Sequence, residues 1–141
     1  MKVAIVGSRS LDLRLPEAFI GTDIKQIISG GAKGIDRCAR NYAKEHHIQI
    51  LEIIPEYDIY GRSAPLRRND WIIELSDMVL IFWDGKSRGS NYMIETCRKQ
   101  KKPMKLFQFE GGEFRLIEEI PYLPELPETF FENFVPTVIY E

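Results

Sequence analysis

Four times in its first 109 residues the chain passes through a short apolar stretch, halts at a glycine, proline or aspartate, and then enters a segment with helical character. The apolar stretches are "KVAIV" before Gly7, "DIKQIIS" from Asp23 before Gly30, "IQILEII" from Ile48 before Pro55 and "DMVLIFW" from Asp77 before Asp84; a fifth, "PMKLFQF", runs from Pro103 to Phe109. Such runs are strands that need cover on both faces. Cover comes from the segments between them. Residues 34 to 46 carry Ile35, Cys38, Ala39, Tyr42 and Ala43 at spacings of three and four, which predicts an amphipathic helix. Further helices are predicted near Leu15 to Phe19, over Ala64 to Leu75 with Pro65 in the first turn, and over residues 89 to 101. Strand and helix in alternation make an α/β protein with a mainly parallel sheet and helices on both of its faces. Ligands of such sheets bind beyond the carboxyl ends of the strands, so the loops at Gly7, Gly30, Pro55 and Asp84 are expected on one rim.

With 141 residues, 44% of them hydrophobic, the chain suits one domain with a sizeable core. No run approaches the roughly 18 apolar residues of a membrane span, and the polar turn after Val6 comes too early for a signal peptide. A cytoplasmic protein with no membrane partner is therefore expected. Cys38 and Cys97 lack metal or redox spacing and read as buried free thiols, while His46 and His47 end a helix without partners at ligand spacing. Neither a metal nor a cofactor is expected. The net charge of −2 conceals an imbalance: residues 110 to 141 hold eight glutamates and one arginine, leaving the first 109 residues mildly basic. That excess is too small and too dispersed for duplex nucleic acid, but it suits a small anion. Residues 110 to 141, with four prolines and six aromatics, read as an acidic extension that packs on the domain of residues 1 to 109 or on a partner subunit.

The loops carry the chemistry. In "SGGAKGID", Gly30 and Gly31 allow close backbone approach, and a helix starting near Gly34 aims free N–H groups and its positive dipole end at the same place. Ala32 lies within this loop, and Lys33 adds charge. The same glycines also suit a mere tight turn. "GSRS" repeats the theme with Gly7, a donor hydroxyl at Ser8 and a guanidinium at Arg9; "APLRRND" places Arg68 and Asn69 in a helix; and Gly89 with Ser90 opens another helix after a strand. Asp84 suits a ribose hydroxyl or a surface turn, and Trp83, Tyr57 or Tyr60 suit either base stacking or the core. Asp36 either faces the rim or caps its own helix.

Taken together and in order, "VGSRS", "SGGAKGID", "IPEYDIYGRSAPLRRN", "SDMVLIFWDGKSRGS" and "KP" resemble the YspA-like family of the SLOG superfamily. These domains are related to the cytokinin-activating phosphoribohydrolases (LOG) and to the DNA-uptake protein DprA. The resemblance covers about residues 1 to 107. It implies a Rossmann-like three-layer α/β/α sandwich with a five- or six-stranded sheet and a site for nucleotide-derived ligands. Gly7, Ser8, Arg9, Gly30, Gly31, Gly34, Asp36, Arg68, Asn69, Gly89 and Ser90 fall on its motif positions. In the phosphoribohydrolase branch an arginine and two glutamates cleave the N-glycosidic bond. Here Arg68 matches the arginine, but Tyr92 and Met93 stand at the glutamate positions, with Glu95 a turn further on.

The expected function is thus capture of a nucleotide or nucleotide-derived ligand, such as an ADP-ribose or cyclic ADP-ribose relative or a mononucleotide, by a sensor or sequestering protein. The alternative is a nucleotide N-glycosidase using Arg68 with Asp36, Asp84 or Glu95 as its carboxylate. Homo-oligomers are common in the superfamily, so a homo-oligomer is expected.

Overall fold

The computed structural model describes residues 1–123. Its elements are β1 (Lys2–Gly7), α1 (Glu17–Ile20), β2 (Gln26–Ser29), α2 (Ile35–Glu45), β3 (Gln49–Glu52), α3 (Tyr57–Tyr60), a 3-10 turn (Gly61–Ser63), α4 (Ala64–Leu75), β4 (Met78–Trp83), α5 (Arg88–Gln100), β5 (Met104–Glu110) and β6 (Glu113–Ile120). One six-stranded sheet has the order β3-β2-β1-β4-β5-β6, parallel except for β6, which runs antiparallel to β5.

Alternation along the strands divides the core between the two faces. Val3, Ile5, Ile27, Leu80, Phe82 and Phe107 pack with Ile35, Cys38, Ala39 and Tyr42 of α2. Ala4, Val6, Ile28, Val79, Ile81 and Leu106 pack with Ile72 and Ile73 of α4 and with Met93, Ile94 and Cys97 of α5. Period-two strands between period-3.6 helices therefore build the three layers of a Rossmann-like sandwich. Cys38 and Cys97 are buried free thiols.

Two elements depart from the expected list. The short α3 follows Pro55, where no periodicity marks it. Residues 113–120, on the far side of the expected boundary at 109, add a sixth strand to the sheet. Its polar, glutamate-rich sequence masks it: only Phe114 is buried, because β6 is an edge strand with one face in solvent. Phe114 lies edge-on to Phe82 at 5.0 Å, and Phe107 stacks between Phe82 and Phe19. The remaining prolines and aromatics of the extension, from residue 124 on, lie outside the described residues.

Candidate functional site

From β1 the chain proceeds outward to β2 and β3; it then returns to place β4 on the other side of β1 and proceeds outward again. The carboxyl ends of β1 and β4 are the point where the order reverses, and loops diverging there leave a crevice. A cavity of about 470 Å³ occupies it. Val6, Pro65, Leu66, Ile72 and Met93 supply its apolar lining, and the strand-end loops supply most of the polar lining.

Of the residues singled out in the sequence, Gly7, Ser8, Arg9, Ala32, Asp36, Arg68, Asn69, Asp84, Gly89 and Ser90 meet on this cavity. Gly31 and Lys33 line a shallow basic depression beside it, together with Arg9, Ala32 and Arg37. Gly30 and Gly34 line neither but shape the first cavity from behind. A Cβ on Gly30 would lie 2.4 Å from Nη1 of Arg68 and 2.8 Å from Oδ2 of Asp36; one on Gly34, whose φ is +73°, would lie 2.3 Å from the Ser8 carbonyl oxygen. Gly7 is similar, for its Cβ would collide with the Phe82 carbonyl at 2.0 Å. Close packing thus accounts for three of the loop glycines. Gly89 is the reverse case, with nothing within 4 Å of its Cβ position.

A chain of hydroxyls runs along the polar lining. Asp84 N–H donates to Ser8 Oγ at 2.9 Å, Ser8 Oγ lies 2.8 Å from Ser87 Oγ, and Ser87 Oγ donates to Ser90 Oγ at 3.0 Å. Because the single Ser87 proton goes to Ser90, Ser8 must donate to Ser87, and the last free proton of the chain belongs to Ser90. Ser90 is buried in the first turn of α5, where the N–H groups of Arg88, Gly89 and Ser90 precede the first intrahelical bond, Asn91 N–H to Ser87 O. Donors therefore converge on one corner, with the positive end of α5 behind them and the side chains of Arg9 and Arg88 on the cavity wall.

Asp84 is occupied in building this corner. Its carboxylate accepts from Ser10 Oγ at 2.6 Å and from the backbone N–H groups of Lys86 and Ser87 at 2.8 Å each. Partial desolvation works against its charge, but these bonds prevail and hold its pKa down at about 2. Trp83 stands behind the loop, packed on the second core cluster and donating its indole N–H to Ser87 O. Tyr57 is exposed and Tyr60 lies edge-on to Trp71; neither touches the cavity. Glu95 is also off the cavity and pairs with Arg98 at 2.6 Å.

On the opposite flank, Arg68 is buried, donating from Nε to Asn69 Oδ1 and from Nη1 to the carbonyls of Gly30 and Ile53. Burial depresses its pKa, and the charge of Asp36 offsets part of that. Asp36 is buried too. Its Oδ2 accepts the Ala32 N–H at 3.2 Å, so it caps the glycine loop and makes no cap bond to its own helix. Desolvation raises the Asp36 pKa despite that bond and the Arg68 charge.

Ser10, Ser87, Arg88, Pro65, Leu66, Ile72 and Met93 also line the cavity. Ser87 carried one readable signal, its place just before a helix, but its hydroxyl serves a residue 79 positions away instead of capping α5. Among the described residues no cluster of three histidine, cysteine or acidic side chains could hold a metal, and no helix is long and apolar enough to cross a membrane. The chain matches no protein-family model, no curated protein and no solved structure.

Proposed function

We propose that the cavity binds a phosphate-bearing, nucleotide-derived ligand, and that the protein acts by holding it. The observation that carries this reading is the Ser8–Ser87–Ser90 hydroxyl chain, which delivers a buried donor to the N-terminal turn of α5 inside the cavity. A phosphoryl group takes the free N–H groups, the Ser90 hydroxyl and the charges of Arg9 and Arg88. The apolar lining of Pro65, Leu66, Ile72 and Met93 then takes the base. Membership of the YspA-like SLOG family, proposed from the loop sequences, agrees with this placement.

Binding is favoured over N-glycosidic cleavage because Glu95 lies off the cavity in an ion pair and Asp84 spends its oxygens on its own turn. The buried free cysteines suit a reducing, cytoplasmic setting. A homo-oligomer is favoured by exposed Ile54, Tyr57, Ile59, Trp71 and Leu75 around α3 and α4.

Isothermal titration calorimetry with AMP, ADP-ribose, ribose 5-phosphate and adenosine tests the reading. Phosphorylated ligands are expected to bind and adenosine to bind at least about tenfold more weakly, given charge-assisted hydrogen bonds; equal binding of AMP and adenosine would refute the assigned phosphate corner. Free adenine appearing on incubation with AMP would overturn binding without turnover.

A further inference from the structure

We propose that Asp36 and Arg68 together read a pair of neighbouring hydroxyls, the cis-diol of a ribose, so that the cavity selects ribonucleotide over 2′-deoxyribonucleotide ligands. This rests on the nucleotide reading above and adds to it a specificity-determining pair.

Both side chains are more than nine-tenths buried and both line the cavity. Each has one half of its capacity spent on the protein and the other half free. Arg68 uses Nε and Nη1 on Asn69, Gly30 and Ile53, and no described residue accepts from Nη2. Asp36 uses Oδ2 on the Ala32 N–H; Ser29 is its other polar neighbour, but the single Ser29 hydroxyl proton goes to the Ile5 carbonyl at 2.7 Å, which leaves Oδ1 without a donor among the described residues. Nη1 of Arg68 and Oδ2 of Asp36 both come within 3 Å of the Cβ position that Gly30 lacks, with no ion pair between them. An open guanidinium donor and an open carboxylate acceptor, carried by two otherwise buried side chains on one cavity, suit a partner that both gives and takes a hydrogen bond.

Electrostatics decides between the possible partners. A phosphate set against Arg68 would be drawn by Arg68 and the nearby Arg9 but would also face the Asp36 carboxylate with Glu52 beyond it, and the repulsion would cancel much of the attraction. Hydroxyls carry no charge and suit both groups: one O–H donates to Oδ1 of Asp36 while a hydroxyl oxygen accepts from Nη2 of Arg68. Two vicinal hydroxyls satisfy both at once. The phosphate is better placed at the α5 corner, where Asp84 already has its own partners.

Calorimetry of the full-length protein with AMP, 2′-deoxy-AMP and 2′,3′-dideoxy-AMP is the test. Sites built to bond a hydroxyl discriminate strongly against its loss, so AMP is expected to bind roughly tenfold or more tightly than either deoxy ligand. In Asp36→Ala the ratio should fall close to one, chiefly through weaker AMP binding, and Asp36→Asn should restore part of it. Equal wild-type affinity for AMP and 2′-deoxy-AMP would overturn the pair's role while leaving the nucleotide reading intact. Failure of all three ligands and of ribose 5-phosphate to bind would remove that reading and the diol assignment with it. Should Asp36→Ala fail to fold, the wild-type ratio alone decides.

Discussion

At the scale of single residues, Asp36 and Asp84 show how two aspartates on one cavity are tuned in opposite directions. Asp84 is held ionised by Ser10, Lys86 and Ser87, with a pKa of about 2 against an unfolded value near 3.9. Its stabilising contribution is therefore present above the unfolded pKa and is lost as pH falls through about 2. Carboxyl resonances followed by NMR during acid titration should show Asp84 as one of the last carboxylates to protonate. Asp36 has a raised pKa, so the native state holds its proton to higher pH than the unfolded chain does, and stability declines as pH rises between the two values. Asp36→Asn is expected to raise the melting temperature at pH 7, with the gain vanishing once the medium is acid enough to protonate Asp36. A variant less stable than wild type at pH 7 would contradict that sign. The glycines make a similar contrast. Gly34→Ala forces a Cβ onto the Ser8 carbonyl at positive φ and should cost roughly 2–4 kcal/mol by denaturant melts. Gly89→Ala, open to solvent in a helix, should stabilise by about 0.5 kcal/mol and yet weaken AMP binding.

At the scale of elements, β6 is the piece that the sequence concealed. Its buried contribution is concentrated in Phe114, which meets Phe82 and Phe109 edge-on. Phe114→Ala is expected to destabilise the protein by about 3 kcal/mol, the range of large aromatic truncations. Near the far end of β6, Arg98 of α5 bonds Glu118 while also pairing with Glu95, and its hydrogen bond to Glu118, aided by its charge, draws the Glu118 pKa down. These groups are half-exposed, so Arg98→Ala should cost only about 0.5–1 kcal/mol, with the loss shrinking at high salt. Hydrogen exchange should rise at residues 117–120 and stay unchanged in β1. The helices and parallel strands were legible because burial on one or both faces imposes a period. An edge strand with one wet face and one buried aromatic imposes too little, and the four-residue α3 is too short to display any period.

For the whole molecule, the exposed apolar side chains around α3 and α4 lie among exposed Glu56, Asp58, Arg62 and Arg67, a mixture of signs that would pair with itself across the two-fold interface proposed above. Light scattering after size exclusion should report a dimer, and Ile59→Glu with Trp71→Glu should return it to a monomer. A wild type that stays monomeric at high concentration would remove the oligomer. The amino-acid sequence by itself determined the alternation of strand and helix, and with it the parallel sheet and the rim on which the loops converge. These follow from local periodicity and from the rule that a continuous apolar strand must be covered on both faces. Only the tertiary structure decided what each loop residue does there. Gly7, Gly30 and Gly34 prove to serve close packing, Trp83 stands behind the site, and Ser87 links two loops 79 residues apart. Each of those roles depends on which atom from a distant segment arrives within 3 or 4 Å, and no local pattern records that.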